Sequence, residues 1–198
     1  MLRYLLIAAA SYLLGSISSS VLISRYVFHA DVRSEGSGNA GATNMARVFG
    51  MKSGFLVFLC DALKTIASLV IGWLLAADVG LAVAGCACNI GHCYPVFFRF
   101  RGGKGVSVAA MIACALDWRL AAGLLAVFLV LVLSTRYVSL GSCAVGLLMP
   151  FVCLLLHLSA PRCVLGAVTG VLVLFQHRAN IGRLLRGEES RFSPGGKK

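Results

Sequence analysis

The chain contains 198 residues, of which 59% are hydrophobic and 13% are charged, and its mean hydropathy is +0.90. Soluble domains contain about 45–50% apolar and about 25% charged residues, so this composition is typical of a bilayer-embedded chain and excludes a separate soluble catalytic domain. The net charge of +11 lies mainly in polar stretches between apolar runs. That distribution favours anionic headgroups or anionic substrates as partners over nucleic acid.

Apolar runs follow each other along the chain and cover residues 1–24, 54–77, 79–98, 105–135, 137–157 and 163–176. The first run begins Met1-Leu2-Arg3 like a signal peptide, but Ala8–Ala10 lie early in its apolar core, and we interpret it as the first span. The run 105–135 is longer than one span requires and is interrupted at Asp117. It predicts either one long helix or two short helices joined by a turn.

The distribution of Lys and Arg decides between these alternatives, because basic residues collect in cytoplasmic loops. A turn at Asp117 puts most of the 18 Lys and Arg residues on one side of the membrane, whereas a single span divides them evenly. The sequence therefore predicts an all-α polytopic membrane protein with seven transmembrane helices, some of them short, a periplasmic N-terminus and a cytoplasmic C-terminus. The single domain 1–198 then presents the segments 25–53, 98–105 and 177–198 to the cytoplasm.

A glycine-rich stretch, Glu35–Arg47, lies in the first cytoplasmic segment. Its glycines and alanines expose backbone amides while its Ser, Asn and Thr side chains add small donors, a composition suited to an anionic cluster of oxygens. Arg47 adds a guanidinium of the kind that binds phosphate bidentately. We predict an anion-binding loop rather than a flexible linker, with the candidate ligands Gly36, Ser37, Gly38, Asn39, Thr43, Asn44 and Arg47.

The second motif, Gly91–Gly105, ends in a tight basic turn, Gly102-Gly103-Lys104-Gly105. This turn opens the next helix, and the amides and positive dipole end of a helix N-terminus favour an anion. We expect Lys104 to be the charge of a second anion-binding cup, together with Gly102, Gly103 and Gly105. An ordinary positively charged loop with interfacial aromatic residues is the less favoured alternative.

The third motif, Gln176–Glu189, spaces His177 and Asn180 so that one helical face presents an imidazole and an amide. Histidine is the side chain that takes up a proton near neutral pH. A basic amphipathic helix lying on anionic lipid is the structural alternative. Arg183 and Arg186 fit that alternative at the same time.

Asp61 and Lys64 lie at i and i+3 inside the second predicted span. Isolated charges are costly at membrane depth, so we expect the two side chains to pair and to face the bundle. A structural ion pair and a place in the substrate pocket fit this spacing about equally well.

The chain contains eight cysteines, nearly all in apolar runs, where they are most simply small core residues. Cys93, beside His92, is the exception because it lies in the second motif. Cys86, Cys88, His92 and Cys93 lack the usual ligand spacing of a zinc site. We expect no metal and no cofactor.

Six segments in order resemble the bacterial family of acyl-phosphate-dependent glycerol-3-phosphate acyltransferases. They are Gly15–Arg25, Gly36–Arg47, Asp61–Lys64, Gly91–Val106, Ser139–Ser142 and His177–Leu185. The resemblance implies a multi-pass enzyme of the bacterial inner membrane, with its active site facing the cytoplasm. It implies transfer of a fatty acyl group from acyl phosphate to the sn-1 hydroxyl of glycerol 3-phosphate, giving lysophosphatidic acid. The implied partners are these two substrates and the lipid bilayer, with no nucleic acid and no obligate protein partner.

The same resemblance implies catalytic roles for Ser37, Arg47, Lys104, His177 and Asn180, and a substrate-binding role for Ser142. The chain departs from the family pattern at Ala40, where Pro is usual, at Val108 (Thr), at Met111 (Gly) and at Glu188 (Thr).

An acyl phosphate carries its own leaving group, so the implied enzyme mainly has to hold two phosphates close together. Arg47 and Lys104 are expected to hold one each, in either order. The proton of the attacking hydroxyl passes either to His177 or to a substrate phosphate, whose second pKa is about 6. The alternative function is a small membrane transporter or channel for an anionic metabolite.

Overall fold

The computed structural model describes residues 1–193 and contains only helices, turns and loops over that range. The helices are α1 (Leu2–Gly15), α2 (Ser19–Val27), α3 (Ala42–Phe49), α4 (Met51–Cys93), α5 (Val106–Leu116), α6 (Trp118–Thr135), α7 (Val138–Leu155), α8 (Ala160–Gln176) and α9 (Arg178–Leu185). Two short 3-10 turns, Val32–Ser34 and Val96–Phe98, lie in the loops.

The long helix α4 is a helical hairpin. Ala76 and Ala77 have non-helical dihedral angles and divide it into two halves. The halves pack back on each other, because a Cβ added to Gly72 or to Gly80 would collide with the backbone carbonyl of the other glycine. The division coincides with the boundary between the apolar runs 54–77 and 79–98, so the prediction of two separate helices here is confirmed.

The ambiguous run 105–135 also contains two helices. Asp117 lies between α5 and α6 in an extended conformation, and its carboxylate accepts a hydrogen bond from the backbone N–H of Arg119 at 2.8 Å. This N-cap starts α6 and confirms the predicted turn. With 11 residues, α5 is about 16 Å long, shorter than a hydrocarbon core of about 30 Å.

Several helices of the described chain have the length and hydropathy of membrane spans. These are the continuous stretches Leu2–Val27, Met51–Phe98, Trp118–Thr135 and Val138–Leu155. α8 and α9 together pass the same test but are bent by 58° at their junction, and α5 is a shorter apolar helix. The chain is thus an all-α protein with the helices of an integral membrane protein.

Two buried apolar clusters hold this bundle together. The larger one joins the α4 hairpin to α5, α6, α7 and α8 through residues such as Leu69, Ile112, Leu120, Met149 and Leu165. The smaller one lies beneath the first polar loop and consists of Val21, Val32, Ala40, Met45 and Val57. It packs the loop and α3 against α2 and the start of α4, so the motif residues on that loop are fixed relative to the bundle.

Candidate active site

One cavity of about 500 Å³ brings the three sequence motifs together. Its polar end is lined by Ser37, Asn39, Thr43, Asn44, Arg47, Lys104, Ser139, Ser142, His177, Asn180, Arg183 and Glu189. All five residues predicted to be catalytic are among them. The cavity continues as an apolar groove lined mainly by α5 and α6, including Ala109, Ala110, Ala113, Ala121, Leu125 and Phe128.

Asn44 folds the loop that carries Ser37 and Arg47. Its Oδ1 accepts a hydrogen bond from the backbone N–H of Ser37 at 2.9 Å, and its Nδ2 donates to the carbonyls of Val32 and Glu35 at 3.1 and 2.9 Å. Although Asn44 borders the cavity, its buried amide is engaged by the backbone. The structure therefore gives Asn44 an organising role, where the sequence suggested a substrate ligand.

Two of the three glycines of this loop serve its backbone. Gly36 and Gly38 have φ angles of +57° and +71°, a region that side chains disfavour. Gly36 borders a smaller second cavity of about 330 Å³, and Gly38 borders neither cavity.

Arg47 lies where the two cavities meet. Arg47, Ser37 and Ser190 line both of them. Among residues 1–193, no carboxylate lies within ion-pair distance of Arg47. Its guanidinium is thus a cation at the cavity wall without an internal counter-ion, which suits an incoming phosphate.

Arg33 ties this loop to the following motif by a hydrogen bond, and an ion pair with Asp31 orients its side chain. Arg33 Nη2 lies 2.7 Å from Asp31 Oδ2, and Arg33 Nη1 donates to the carbonyl of Phe98 at 3.1 Å. Hydrogen bonds from Arg33 and Arg25 hold the pKa of the Asp31 carboxyl well below its usual range. The first loop and the 96–98 turn therefore stay in contact at neutral pH.

The Lys104 turn packs tightly against the end of α4. The backbone N–H groups of Gly102 and Gly103 donate to the carbonyls of Cys93 and His92 at 3.2 and 3.1 Å. A Cβ on Gly103 would collide with the imidazole of His92. The predicted ligands Gly102, Gly103 and, with φ +79°, Gly105 lie behind the cavity wall, where they permit the close packing that aims Lys104 inward.

Lys104 begins a chain of polar contacts across the cavity. Its Nζ donates to Asn180 Oδ1, and Asn180 Nδ2 donates to Glu189 Oε1 at 2.6 Å. Ser139 Oγ donates to the same oxygen at 2.8 Å, while Arg183 Nε pairs with Glu189 Oε2 at 2.7 Å. The side chain of Glu189 is only 6% exposed. This carboxylate is therefore the internal counter-ion of the Lys104 side.

Burial and this neighbouring carboxylate act in opposite directions on Lys104. Burial lowers the pKa of Lys104 to about 8, because it disfavours the ammonium, while Glu189 partly opposes the change. Burial also raises the pKa of Glu189, but the hydrogen bonds from Asn180, Ser139 and Arg183 outweigh it and leave that pKa below its usual value. At pH 7 the two groups form an ionised pair bridged by Asn180.

Sequence reasoning missed Glu189 and Ser139 as site residues and gave Arg183 to a lipid-facing surface. Ser139 was visible as the first residue of the Ser139–Ser142 motif. Glu189 could have been noticed as an acidic residue that follows a strongly basic helix. That signal is weak, because the neighbouring Glu188 is equally acidic but exposed, and it pairs with the exposed Arg186.

His177 lies at the junction where α8 ends and α9 begins. Its Nδ1 is 2.8 Å from the carbonyl oxygen of Val173. A carbonyl only accepts, so Nδ1 carries the hydrogen and Nε2 is left as an acceptor. The buried imidazole thus brings to the cavity a ring whose free nitrogen can accept a hydrogen bond from a hydroxyl.

Comparisons with known proteins agree with this site. A family model for glycerol-3-phosphate acyltransferase matches residues 5–187. The chain belongs to the glycerol-3-phosphate acyltransferase family. The enzyme is 37% identical over 186 residues to a glycerol-3-phosphate acyltransferase of Thermoanaerobacter sp. (strain X514), covering 94% of each chain. It is 43% identical over 189 residues to one of Ralstonia nicotianae (strain ATCC BAA-1114 / GMI1000), covering 93% of this chain and 91% of the relative.

Solved structures of a relative extend this likeness to the fold. The acyltransferase superposes on PlsY (YgiH), an integral membrane glycerol 3-phosphate acyltransferase, in its glycerol 3-phosphate form, with a TM-score of 0.91 and 37% identity. The lysophosphatidic acid form of PlsY gives a TM-score of 0.88 and 36% identity, and each match covers 96% of both chains. The integral membrane fold of the enzyme follows from this likeness and from its apolar helices.

The structure also locates the four departures from the family pattern. Ala40 and Val108 are buried in the two apolar clusters, so neither side chain faces the cavity. Met111 lines the cavity, and Glu188 is on the surface. Only Met111 can alter the shape of the site directly.

Proposed function

We propose that this acyltransferase uses acyl phosphate as its donor and releases lysophosphatidic acid and inorganic phosphate at the cytoplasmic face of the membrane. The observation that carries the proposal is that one cavity has Arg47 and Lys104 at its polar end, beside an Arg183 already paired with Glu189, and an apolar groove behind them. Two substrate phosphates need the two cations, and one acyl chain needs the apolar groove. A thioester donor would bring only one phosphate close to the reacting carbonyl.

The chemistry needs little from the protein beyond position and charge. The sn-1 hydroxyl oxygen of glycerol 3-phosphate attacks the carbonyl carbon of the acyl phosphate. The bond from that carbon to the phosphate oxygen then breaks, and phosphate leaves with the electron pair. Arg47 and Lys104 offset the charge of the two phosphates, which otherwise repel each other at reacting distance. Ser37 and Asn180 orient the substrate oxygens.

A substrate phosphate takes the proton of the attacking sn-1 hydroxyl, and His177 orients glycerol 3-phosphate through its other hydroxyl. The support is the partner of the imidazole: Nδ1 donates to the carbonyl of Val173, so the ring lacks the hydrogen-bonded carboxylate that stabilises an imidazolium in a Ser-His-Asp triad. Nε2 remains available to accept a hydrogen bond from the sn-2 hydroxyl, which keeps its proton.

Comparing His177→Gln with His177→Ala tests this role. The Gln side chain keeps a hydrogen-bonding group but takes no proton. We expect His177→Gln to retain at least about fivefold more kcat than His177→Ala, because one hydrogen bond to the substrate is worth about 1 kcal/mol or more. Equal inactivation of both variants would make His177 the proton acceptor. Near-normal turnover of His177→Ala would remove both roles.

The membrane topology of the proposal has seven spans. α1 with α2 forms the first, the halves of the α4 hairpin the second and third, and α5, α6, α7 and α8 the rest. This arrangement puts the single domain in the bacterial inner membrane, with 25–53, 98–105 and 177–198 on the cytoplasmic face and the N-terminus in the periplasm. This topology can be tested in intact cells with a thiol reagent that does not cross the inner membrane. In a cysteine-free background, Arg3→Cys should be labelled from outside and Arg186→Cys should not.

A donor-swap assay tests the reaction itself. Purified enzyme in detergent is given glycerol 3-phosphate with acyl phosphate or with acyl-CoA of the same chain length, and lysophosphatidic acid is measured. We expect product only with acyl phosphate. Product with acyl-CoA alone would overturn the donor assignment. Transfer in detergent, without any vesicle, also excludes transport as the measured activity.

A further inference from the structure

A buried cluster of charged side chains lies in the α4 hairpin, behind the Lys104 turn. The side chains of Asp61, Lys64 and His92 are 2%, 7% and 5% exposed. Lys64 Nζ is 2.9 Å from Asp61 Oδ1 and 3.2 Å from His92 Nδ1. The predicted pairing of Asp61 with Lys64 is confirmed. Charges so deeply buried are tolerated only when partners satisfy them on every side.

The three N–H groups of Lys64 are shared with the backbone as well. Its Nζ donates to the carbonyls of Gly15 and Ile17 at 3.2 and 2.7 Å, where the break between α1 and α2 leaves carbonyl groups without helical partners. Lys64 does not line the cavity. Its ammonium therefore holds the first span against α4 and is not available to a substrate.

Asp61 faces the other way, towards the active site. Its Oδ2 accepts a hydrogen bond from Ser107 Oγ at 2.9 Å. Ser107 lies in the first turn of α5, three residues after Lys104, and lines the cavity. The carboxylate thus fastens the helix turn that directly follows the Lys104 turn.

The residue before Lys104 is fastened to the same cluster. The backbone N–H of Gly103 donates to the carbonyl of His92, and the His92 imidazole packs so closely on Gly103 that no Cβ fits between them. Since Lys64 Nζ can only donate, His92 Nδ1 accepts from it, which fixes the orientation of the ring. Both flanks of Lys104 are therefore attached to one rigid, buried group of charges.

We propose that Asp61 is a positioning residue of the acyltransferase: through Ser107 it holds the N-terminus of α5, and with it Lys104, in the geometry that binds a substrate phosphate. This inference rests on the proposed role of Lys104. Asp61 and Lys64 themselves touch no substrate. The Gly102–Gly105 turn has only one side chain, that of Lys104, with which to hold itself in place. The buried Asp61–Lys64–His92 cluster supplies the missing contacts, where apolar side chains would usually pack between helices.

The hydroxyl of Ser19 is a matched control for that of Ser107, through which Asp61 is proposed to position Lys104. Ser19 Oγ donates to the other oxygen of the same carboxylate, Asp61 Oδ1, at 3.3 Å. Ser19 lies on α2 and does not line the cavity. Ser107→Ala and Ser19→Ala therefore remove the same chemical group from the same carboxylate, but only the first removes a link to Lys104.

The experiment measures KM and kcat for both substrates, and the melting temperature, in detergent. Lys104→Ala first identifies the substrate whose KM depends on Lys104. We expect Ser107→Ala to raise the KM for that same substrate about tenfold, the cost of one hydrogen bond to a charged group. Ser107→Thr, which keeps the hydroxyl, should restore the KM. Ser19→Ala should leave both KM values unchanged, and Ser19→Ala and Ser107→Ala should melt at similar temperatures.

A double-mutant cycle separates positioning from direct contact. In an Asp61→Asn background, Ser107→Ala should add little to the KM, because its partner is already altered. A full tenfold effect in that background would make Ser107 a substrate ligand and overturn the proposal, as would equal KM changes in the Ser19 and Ser107 variants. If Lys104→Ala changes neither KM, the proposed role of Lys104 fails. If Lys104→Ala raises a KM but Ser107→Ala does not, the role of Lys104 stands and only the positioning role of Asp61 fails.

Discussion

The two segments proposed to bind phosphate hold their cations in different ways. The Glu35–Arg47 loop is folded by its own side chain, Asn44, and presents Arg47 with no carboxylate partner among residues 1–193. The Gly102–Gly105 turn has no such side chain. It is shaped by the end of α4, and its Lys104 is already engaged by Asn180 and, through it, by Glu189.

This difference teaches that the two cations are not equivalent. Arg47 has no carboxylate partner among residues 1–193, so its guanidinium is open to an external anion. Lys104 is a buried ammonium whose charge depends on pH and on an internal carboxylate. In the proposed mechanism a phosphate meets an open cation at the first segment and shares the second with Glu189.

The largest expected effect is at the open cation. Arg47→Ala should lower kcat/KM by about 10³, because it removes a charge-assisted contact that strengthens as the reaction proceeds. Steady-state assays with both substrates measure it. Arg186→Ala, which removes an exposed arginine paired with Glu188 on the same face, is the control and should be close to normal. Comparable losses in the two variants would show that general positive charge, not the position of Arg47, matters.

The second effect is a pH dependence that only the Lys104 side should show. The pKa of Lys104 is about 8, so its ammonium is lost as the pH rises through that value. We expect the KM for the phosphate bound there to increase about tenfold between pH 7 and pH 9. Lys104→Arg should flatten this profile, whatever its absolute activity, because a guanidinium stays charged. If the KM of the Lys104→Arg variant still rises between pH 7 and pH 9, the titrating group is not Lys104.

An effect of similar size is expected from the residue that folds the first loop. Asn44→Ala leaves one N–H and two carbonyls without their partner, and should raise a KM about tenfold through disorder of Ser37 and Arg47. Asn44→Asp keeps the acceptor for Ser37 but sets a buried carboxylate oxygen against the two carbonyls, so it should raise the KM at least as much as Asn44→Ala. If Asn44→Ala lowers kcat with both KM values unchanged, Asn44 acts on the reaction rather than on the loop.

Much of the fold followed from local sequence. Apolar runs defined the helices, and the isolated Asp117 marked the turn between α5 and α6 because a short carboxylate caps a helix in place. The pairing of Asp61 with Lys64 followed from their spacing of three residues. The motif residues at the cavity were also identified, since Gly-rich loops with Arg or Lys suit anions wherever they are placed.

The sequence by itself determined the helices, the two glycine-rich segments and the cations they carry, because each depends on residues a few positions apart. Only the tertiary structure decided what those cations contact. Lys104 meets Asn180 across 76 positions of chain, and Ser107 meets Asp61 across 46. A local sequence pattern cannot show which residues so far apart in the chain come into contact. Helix packing brings them together, makes Glu189 the counter-ion of Lys104 and leaves Arg47 open to the cavity.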